Sequence, residues 1–249
     1  MNTILIGYKG FMGLEVVQAI KRRDDIHIIA GIDPKADGSE PDPCYKGFDR
    51  DDMKADMIID FSHHSNTADL LRFAEKLNCP LVLATTGQTP EEREMIEKAA
   101  KKIPVFFTGN YSLGIAVLTD LVKRAVRFFP DAEIEIIEKH HNRKADAPSG
   151  TALNIAEAIR NEKGVGNIVS GRSGYGKREP DDIGISSIRI GNIVGEHEIL
   201  ISTGTQTLSL KHEAHSRALF ADGAIEAACF LLKKEPGLYS MPDMIKEKD

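Results

Sequence analysis

Three features of the first half of the chain predict an α/β fold on a doubly wound parallel sheet. Short apolar runs alternate with helical patterns, the first run ends in a glycine-spaced turn, and the second ends in an acid. A change of pattern after Tyr111 adds a smaller α+β unit with an open mixed sheet.

Residues 3–6 read as a strand ending at Gly7, and Met12, Val16, Val17 and Ile20 mark the buried side of the helix that follows. Between them lies Gly7-Tyr8-Lys9-Gly10-Phe11-Met12-Gly13. Glycines spaced in this way permit a tight bend, close approach to a pyrophosphate and close packing of helix on strand. A second strand, residues 26–32, ends at Asp33, where an acid is placed to hold an adenosine ribose hydroxyl. Residues 56–61, 80–85 and 104–107 read as further strands, and 65–77 and 90–101 as helices. Thr89, Pro90 and Glu92 supply a cap, a first-turn proline and an acid at the third helical position. Repeated βα units wind a sheet in Rossmann fashion, with ligands at the carboxyl ends of its strands. Those ends are Phe61-Ser62, Ala84-Thr85-Thr86-Gly87 and Thr108-Gly109-Asn110-Tyr111-Ser112, whose small and polar residues suit the nicotinamide side of a dinucleotide.

The run from Glu138 to Ala152 carries the densest chemistry. Residues 133–137 read as a strand that delivers His140 and His141 to the mouth of a loop containing Arg143 and Lys144. Ala152, Ile155, Ala156 and Ile159 then fall on one helical stripe, so a helix starts at Ser149 or Gly150. Its first amides have no intrahelical partner, and the positive end of the helix dipole favours a carboxylate or phosphate there. Gly150 lets such a ligand come close to the backbone. Imidazole titrates nearest neutrality, and a lysine crowded by Lys139, Arg143 and histidines is expected to have a lowered pKa. The run is suited to holding a small polyanion and handing it a proton.

Beyond this helix comes a glycine-rich charged loop, residues 164–182, whose stretch 171–178 reads as a mobile surface loop. Strand-like runs follow at 185–190, 196–202 and 206–211. Ala224, Ala227, Ala228, Leu231 and Leu232 give a terminal helix.

With 249 residues and 41% hydrophobic composition, the chain can bury a substantial core. A formal net charge of -6 argues against a nucleic-acid or anionic-membrane surface, so the ligand of the basic loop should be small and negative. The start has no signal-like segment and no uncharged run is long enough to cross a bilayer, which points to the cytoplasm. Cys44, Cys79 and Cys229 lack paired spacing and are expected as free thiols. No metal site is expected, because His212-Glu213-Ala214-His215 offers two histidines without a third ligand. A short-chain dehydrogenase is excluded because no tyrosine has a lysine four residues on, and Cys44, in a loop, and Cys79, before Pro80, are poor nucleophiles for a semialdehyde dehydrogenase. The non-enzyme alternative is an NAD(H)-sensing protein on the same fold.

Taken together, the Gly7–Gly13 turn, Thr85-Thr86-Gly87, Asn110-Tyr111-Ser112, the run from Glu138 to Ala152, Arg189 with Gly195-Glu196-His197, and the tail from His212 resemble the dihydrodipicolinate reductase family, also called 4-hydroxy-tetrahydrodipicolinate reductases. The likeness runs nearly the whole chain, and the His-His run with Asp-Ala-Pro-Ser-Gly-Thr-Ala is highly specific. It implies a reductase of lysine biosynthesis that uses NADH or NADPH to convert (2S,4S)-4-hydroxy-tetrahydrodipicolinate to tetrahydrodipicolinate with loss of water. By position, His140 matches the family's proton donor or acceptor and Lys144 its proton donor. His141 and the turn Ser149-Gly150-Thr151 match the dicarboxylate site. Cofactor contacts carry over to Gly7, Tyr8, Lys9, Gly10, Phe11, Met12, Asp33, Ala84, Thr85, Thr86, Thr108, Gly109, Asn110 and Tyr111. The resemblance further implies a dinucleotide-binding domain over residues 1–111 and 219–249, a substrate-binding and tetramerisation domain over 112–218, and a homotetramer. Two departures are visible. Many relatives have an arginine directly after the acid at position 33, where this chain has Pro34 and then Lys35, and Tyr8-Lys9 stands where small residues are common. Use of both cofactors with a leaning to NADH is expected, since Asp33 disfavours a neighbouring phosphate while Lys9 and Lys35 offset it.

Overall fold

The computed structural model describes residues 1–50 and 52–247. The chain divides into two compact units, Met1–Leu113 with Arg217–Asp249, and Gly114–Ser216.

The first unit begins with β1 (Asn2–Ile6), α1 (Phe11–Ile20), β2 (His27–Ile32) and β3 (Cys44–Tyr45). It continues through β4 (Met57–Asp60), a single 3-10 turn at His64–Asn66, α2 (Thr67–Leu77), β5 (Leu81–Leu83), α3 (Pro90–Ala99) and β6 (Pro104–Phe107). α4 (Leu113–Phe128) starts at the unit boundary and leads into β7 (Glu133–His140), α5 (Gly150–Lys163), β8 (Asn167–Ser170), β9 (Asp182–Arg189), β10 (Gly195–Ser202) and β11 (Thr207–Ala214). The chain then returns to the first unit as α6 (Ala218–Leu231), β12 (Gly237–Tyr239) and α7 (Met241–Lys246).

The sheet of the first unit runs β12-β6-β5-β4-β1-β2-β3, with every neighbouring pair parallel. Its central strands are buried along their length, as near-continuous Ile, Leu, Val and Met runs require when helices cover both faces. On one face Leu70, Leu71, Phe73 and Ala74 of α2 and Ile96 and Ala99 of α3 close over Ile4, Ile58, Leu81 and Val105. On the other, α1 packs with α6, whose buried residues include Ala221, Gly223, Ala224, Ala227 and Ala228, small enough for close approach. Strand order reverses between β1 and β4, which sets a ligand crevice at the carboxyl ends of those two strands. α3 opens as predicted: the Thr89 hydroxyl accepts the Glu92 amide while the Glu92 carboxylate accepts the Thr89 amide.

The second unit holds a mixed sheet, β11-β10-β7-β9-β8, in which β7, β9 and β8 run parallel and β10 runs antiparallel to both β7 and β11. Ile115, Leu118, Val122 and Val126 of α4 and Ala152, Ile155, Ala156 and Ile159 of α5 bury one face of this sheet against Ile134, Ile136, Ile183, Ile185, Ile199 and Ile201. α5 ends at Gly164, a left-handed residue with φ of 74° that closes the last turn without a Cβ penalty.

Several sequence expectations need correction. Residues 167–170, read as loop, are β8, the edge strand; their short run has no alternation to read, and pairing with β9 decides it. The helix near Ala224 is not terminal, since β12 and α7 follow, β12 pairing with β6 at the sheet edge. Cys44 lies in the two-residue strand β3 rather than a loop, paired to β2. α4 has no counterpart among the elements expected from the sequence. All three cysteines are free thiols, and among the described residues no helix is long and apolar enough to cross a membrane.

Candidate active site

In the first unit the predicted cofactor residues gather at the carboxyl ends of β1, β2, β5 and β6. Gly7 has a φ of 77°, and a Cβ there would meet the Phe61 carbonyl oxygen at 2.6 Å. A Cβ on Gly13 would meet the Gly7 carbonyl oxygen at 2.1 Å. Only glycine fits either place, and the two together leave a bare backbone turn in front of α1. No side chain caps α1 at Gly10, so its first amides remain directed at whatever anion occupies the turn. Phe11 is exposed beside it, with the Arg217 guanidinium 5.5 Å from its ring centre, while Met12 is half-buried.

Asp33, buried at the end of β2, accepts the Lys9 amide on one oxygen and the Lys35 amide on the other, each at 2.9 Å. The Tyr8 side chain is buried and its hydroxyl donates to Asp42 at 2.7 Å, so only its backbone faces the turn. Lys9 is not a loose cation: its ammonium sits 2.7 Å from Asp37 and 2.8 Å from Glu40. Both acids raise the pKa of Lys9 through these hydrogen bonds.

Along β5 and β6, Ala84 is half-buried and Thr86 exposed, whereas the Thr85 hydroxyl points inward and donates to the buried Asp60 at 2.5 Å. Burial raises the pKa of Asp60, with the Ser62 and Thr85 hydroxyls pulling the other way. Gly109 is exposed, Thr108 and Asn110 are half-buried, and the Asn110 side chain accepts the Ser112 amide. Tyr111 is buried, its hydroxyl shared between the carbonyls of Leu83 and Phe106.

The second unit brings the predicted catalytic and substrate residues into one constellation. β7 alternates inward and outward, so Glu138 and His140 both point to the buried face at its end. The register then sets Arg189 of β9 opposite His140, and Ser187 and His197 opposite Glu138. Glu138 is fully buried. Arg189 grips it with both terminal guanidinium nitrogens, at 2.6 Å and 2.8 Å, and the Ser149 amide donates at 3.1 Å. His140 Nδ1 lies 2.5 Å from it. Burial alone would raise the pKa of Glu138, but Arg189, Ser187, His140 and the Ser149 amide bring it down to about 2. For His140 burial lowers the pKa and outweighs Glu138, which raises it.

Ser149 is the N-cap of α5: its hydroxyl accepts the Ala152 amide at 3.2 Å and lies 3.2 Å from Nε2 of His197. His197, buried and edge-on to the His140 ring, is lowered to about 4 by burial and by His140. Gly150 is exposed with open space around it, and Thr151 and His141 are half-buried. The cations of this run are paired: Lys139 with Glu196 at 3.0 Å, and Lys144 with Asp146 at 2.7 Å. Asp146 in turn takes hydrogen bonds from both Lys144 and the Gly150 amide, which lower its pKa. A carboxylate of the chain itself thus rests on the cation and the helix start that the sequence marks as an anion site.

Sequence reasoning assigns no role to Glu138, Asp146 or Asp60, and reaches Arg189 and His197 only through the resemblance. The inward alternation at positions 136, 138 and 140 is the signal that pairs Glu138 with His140; the cross-strand neighbours depend on register and leave no local trace.

The family profile described as dihydrodipicolinate reductase, N-terminus, matches residues 1–111, and that described as dihydrodipicolinate reductase, C-terminus, matches residues 114–245. The chain belongs to the dihydrodipicolinate reductase family. Among its relatives, the 4-hydroxy-tetrahydrodipicolinate reductase of Caldanaerobacter subterraneus subsp. tengcongensis is 42% identical, over 99% of both chains. That of Clostridium novyi is 40% identical over 100% of this chain and 99% of its own. Among solved structures, a dipicolinate-bound dihydrodipicolinate reductase from Paenisporosarcina sp. TG-14 shares the fold with a TM-score of 0.82 at 23% identity, covering 96% of this chain and 97% of that one. The dihydrodipicolinate reductase fold therefore accounts for both the parallel sheet and the mixed sheet.

Proposed function

We propose that the chain reduces (2S,4S)-4-hydroxy-tetrahydrodipicolinate to tetrahydrodipicolinate with loss of water, in the diaminopimelate route of lysine biosynthesis. It is an oxidoreductase that uses a pyridine nucleotide. When bound, NADH or NADPH supplies the hydride. The bare turn at Gly7 and Gly13 fits the pyrophosphate of such a cofactor, and the backbone from Gly7 to Met12, Asp33, Ala84 to Thr86 and Thr108 to Tyr111 would hold it.

In the second unit, His141, Ser149, Gly150 and Thr151 bind the substrate carboxylates through imidazole, hydroxyl and the first amides of α5. His140 and Lys144 hold and deliver the proton taken up at the reduced centre. The observation that carries this reading is the Asp146 carboxylate on Lys144 and the Gly150 amide: the chain's own acid fits the place assigned to a substrate carboxylate. Asp146 is exposed and free to give way. The solved relative from Paenisporosarcina binds dipicolinate, a dicarboxylate that agrees in charge and size with this assignment.

For the cofactor, Lys9 is engaged by Asp37 and Glu40. With Asp33 these make three acids around one lysine, a local charge balance that favours NADH while leaving NADPH usable. The first unit serves as the dinucleotide domain and the second as the substrate and tetramerisation domain of a cytoplasmic homotetramer.

Turnover separates this reading from an NAD(H) sensor. Supplied with aspartate semialdehyde, pyruvate and the upstream synthase, the protein should consume dihydronicotinamide absorbance only when all three are present. Cofactor binding without substrate-dependent consumption would favour the sensor.

A further inference from the structure

Glu138 performs no step that the reduction itself requires, yet the site converges on it. A structural ion pair would need Arg189 alone. Here the same carboxylate also takes the Ser149 amide at the start of α5, the Ser187 hydroxyl, and Nδ1 of His140. Held ionised by these donors, it is an acceptor only and can be met only by hydrogen-bearing atoms. Nδ1 of His140 must therefore carry a proton whether the ring is neutral or charged. The other ring nitrogen is then where His140 gains and loses its proton. Among the described residues nothing hydrogen-bonds Nε2, and it lies where a Cβ on residue 195 would come within 3.1 Å, a place kept clear by Gly195.

We infer that Glu138 is the positioning residue that fixes the tautomer of His140 and makes Nε2 the proton-transferring atom of the reduction. This rests on reading His140 as a proton donor. In the step, the Nε2–H bond breaks as a C–H bond forms on the electron-rich carbon of the reduced substrate. The N–H electron pair stays on Nε2, the neutral ring keeps its Nδ1 proton and donates it in a hydrogen bond to Glu138, and a proton taken from solvent restores Nε2–H. Arg189 contributes by keeping Glu138 charged, and Ser149 ties the same carboxylate to the anion-binding helix start.

Glu138→Gln tests this, because an amide can keep its oxygen on Arg189 and turn its NH₂ group to His140. Nδ1 then becomes an acceptor, the neutral ring carries its proton on Nε2, and the cation loses its partner. The ring nitrogen shifts of His140, followed by NMR across pH in the full-length protein, should report an Nδ1–H neutral tautomer in the parent and an Nε2–H tautomer in Glu138→Gln. kcat should fall about a hundredfold or more, with dipicolinate affinity changed by less than about tenfold. The measurement on the parent needs no variant to fold: an Nε2–H neutral tautomer there overturns the inference. So does a Glu138→Gln enzyme within about threefold of the parent kcat. If His140→Gln is itself fully active, the reading of His140 fails and the inference with it; if His140→Gln is inactive and Glu138→Gln is not, the role of Glu138 alone fails.

Discussion

The hydroxyl of Ser149 lies 3.2 Å from Nε2 of His197, so the cap of α5 is joined to a buried imidazole of β10. Ser149→Ala removes the acceptor for the Ala152 amide and leaves a buried ring nitrogen unpaired. The expected loss is about 1–2 kcal/mol of unfolding free energy, read by urea titration, and a raised KM for the substrate because the helix start loosens.

His197 also sets an acid limit. Its folded pKa of about 4 lies below the unfolded value of about 6.5, so the unfolded chain binds the proton first. This contribution is fully present above about pH 6.5 and is lost as pH falls toward 4. At pH 5 the neutral, buried His197 should cost the protein about 2 kcal/mol relative to pH 7.5. Urea midpoints at the two pH values measure this, and His197→Gln should reduce the difference by about 2 kcal/mol, leaving the smaller part that His140 and His212, also lowered by burial, contribute.

Glu138 adds a second loss at lower pH. Its folded pKa of about 2 lies below the unfolded carboxyl value, so its contribution is present above about pH 4.5 and disappears as pH falls through 2. Arg189→Ala takes away its main counter-charge and leaves a buried carboxylate short of donors. Destabilisation of about 3 kcal/mol or more is expected at pH 7, shrinking as the acid is protonated, and thermal melts from pH 7 down to pH 3 would show the convergence.

Lys9 is bound by Asp37 and Glu40, and the proposed leaning to NADH rests on that. Replacing Asp37 by Asn and Glu40 by Gln together releases the ammonium and removes two negative charges. The ratio of kcat/KM for NADPH to that for NADH should rise about tenfold or more, equivalent to ~1.4 kcal/mol. A parent enzyme that already prefers NADPH about a thousandfold would contradict the leaning.

Much of this arrangement is legible in the amino-acid sequence alone. The Gly7 to Gly13 turn, Asp33 at a strand end and the Thr89 capping box follow from local rules, because each depends on neighbours within one turn or loop. The stripe at Ala152, Ile155, Ala156 and Ile159 likewise marks α5 and its start at Ser149. What stays hidden is set by pairing. Arg189 reaches Glu138 only because β9 lies beside β7 in one register, and His197 only because β10 runs antiparallel on the other side. The edge strands β8 and β12 are short and draw their definition from a neighbour. The partner of Lys144 is hidden differently: the cations near it along the chain draw the eye, while Asp146, two residues on, pairs with it.

The central claim is that the constellation around His140 and Lys144 protonates what a reduced nicotinamide has just attacked. The most direct test compares kcat/KM of the parent, His140→Gln and Lys144→Ala in the coupled assay with the upstream synthase, with NADH affinity measured in parallel. Losses of about a hundredfold or more in each variant, at unchanged NADH affinity, are expected. Rates within a factor of about two of the parent would contradict the assignment, since a positioned general acid cannot be removed at so little cost.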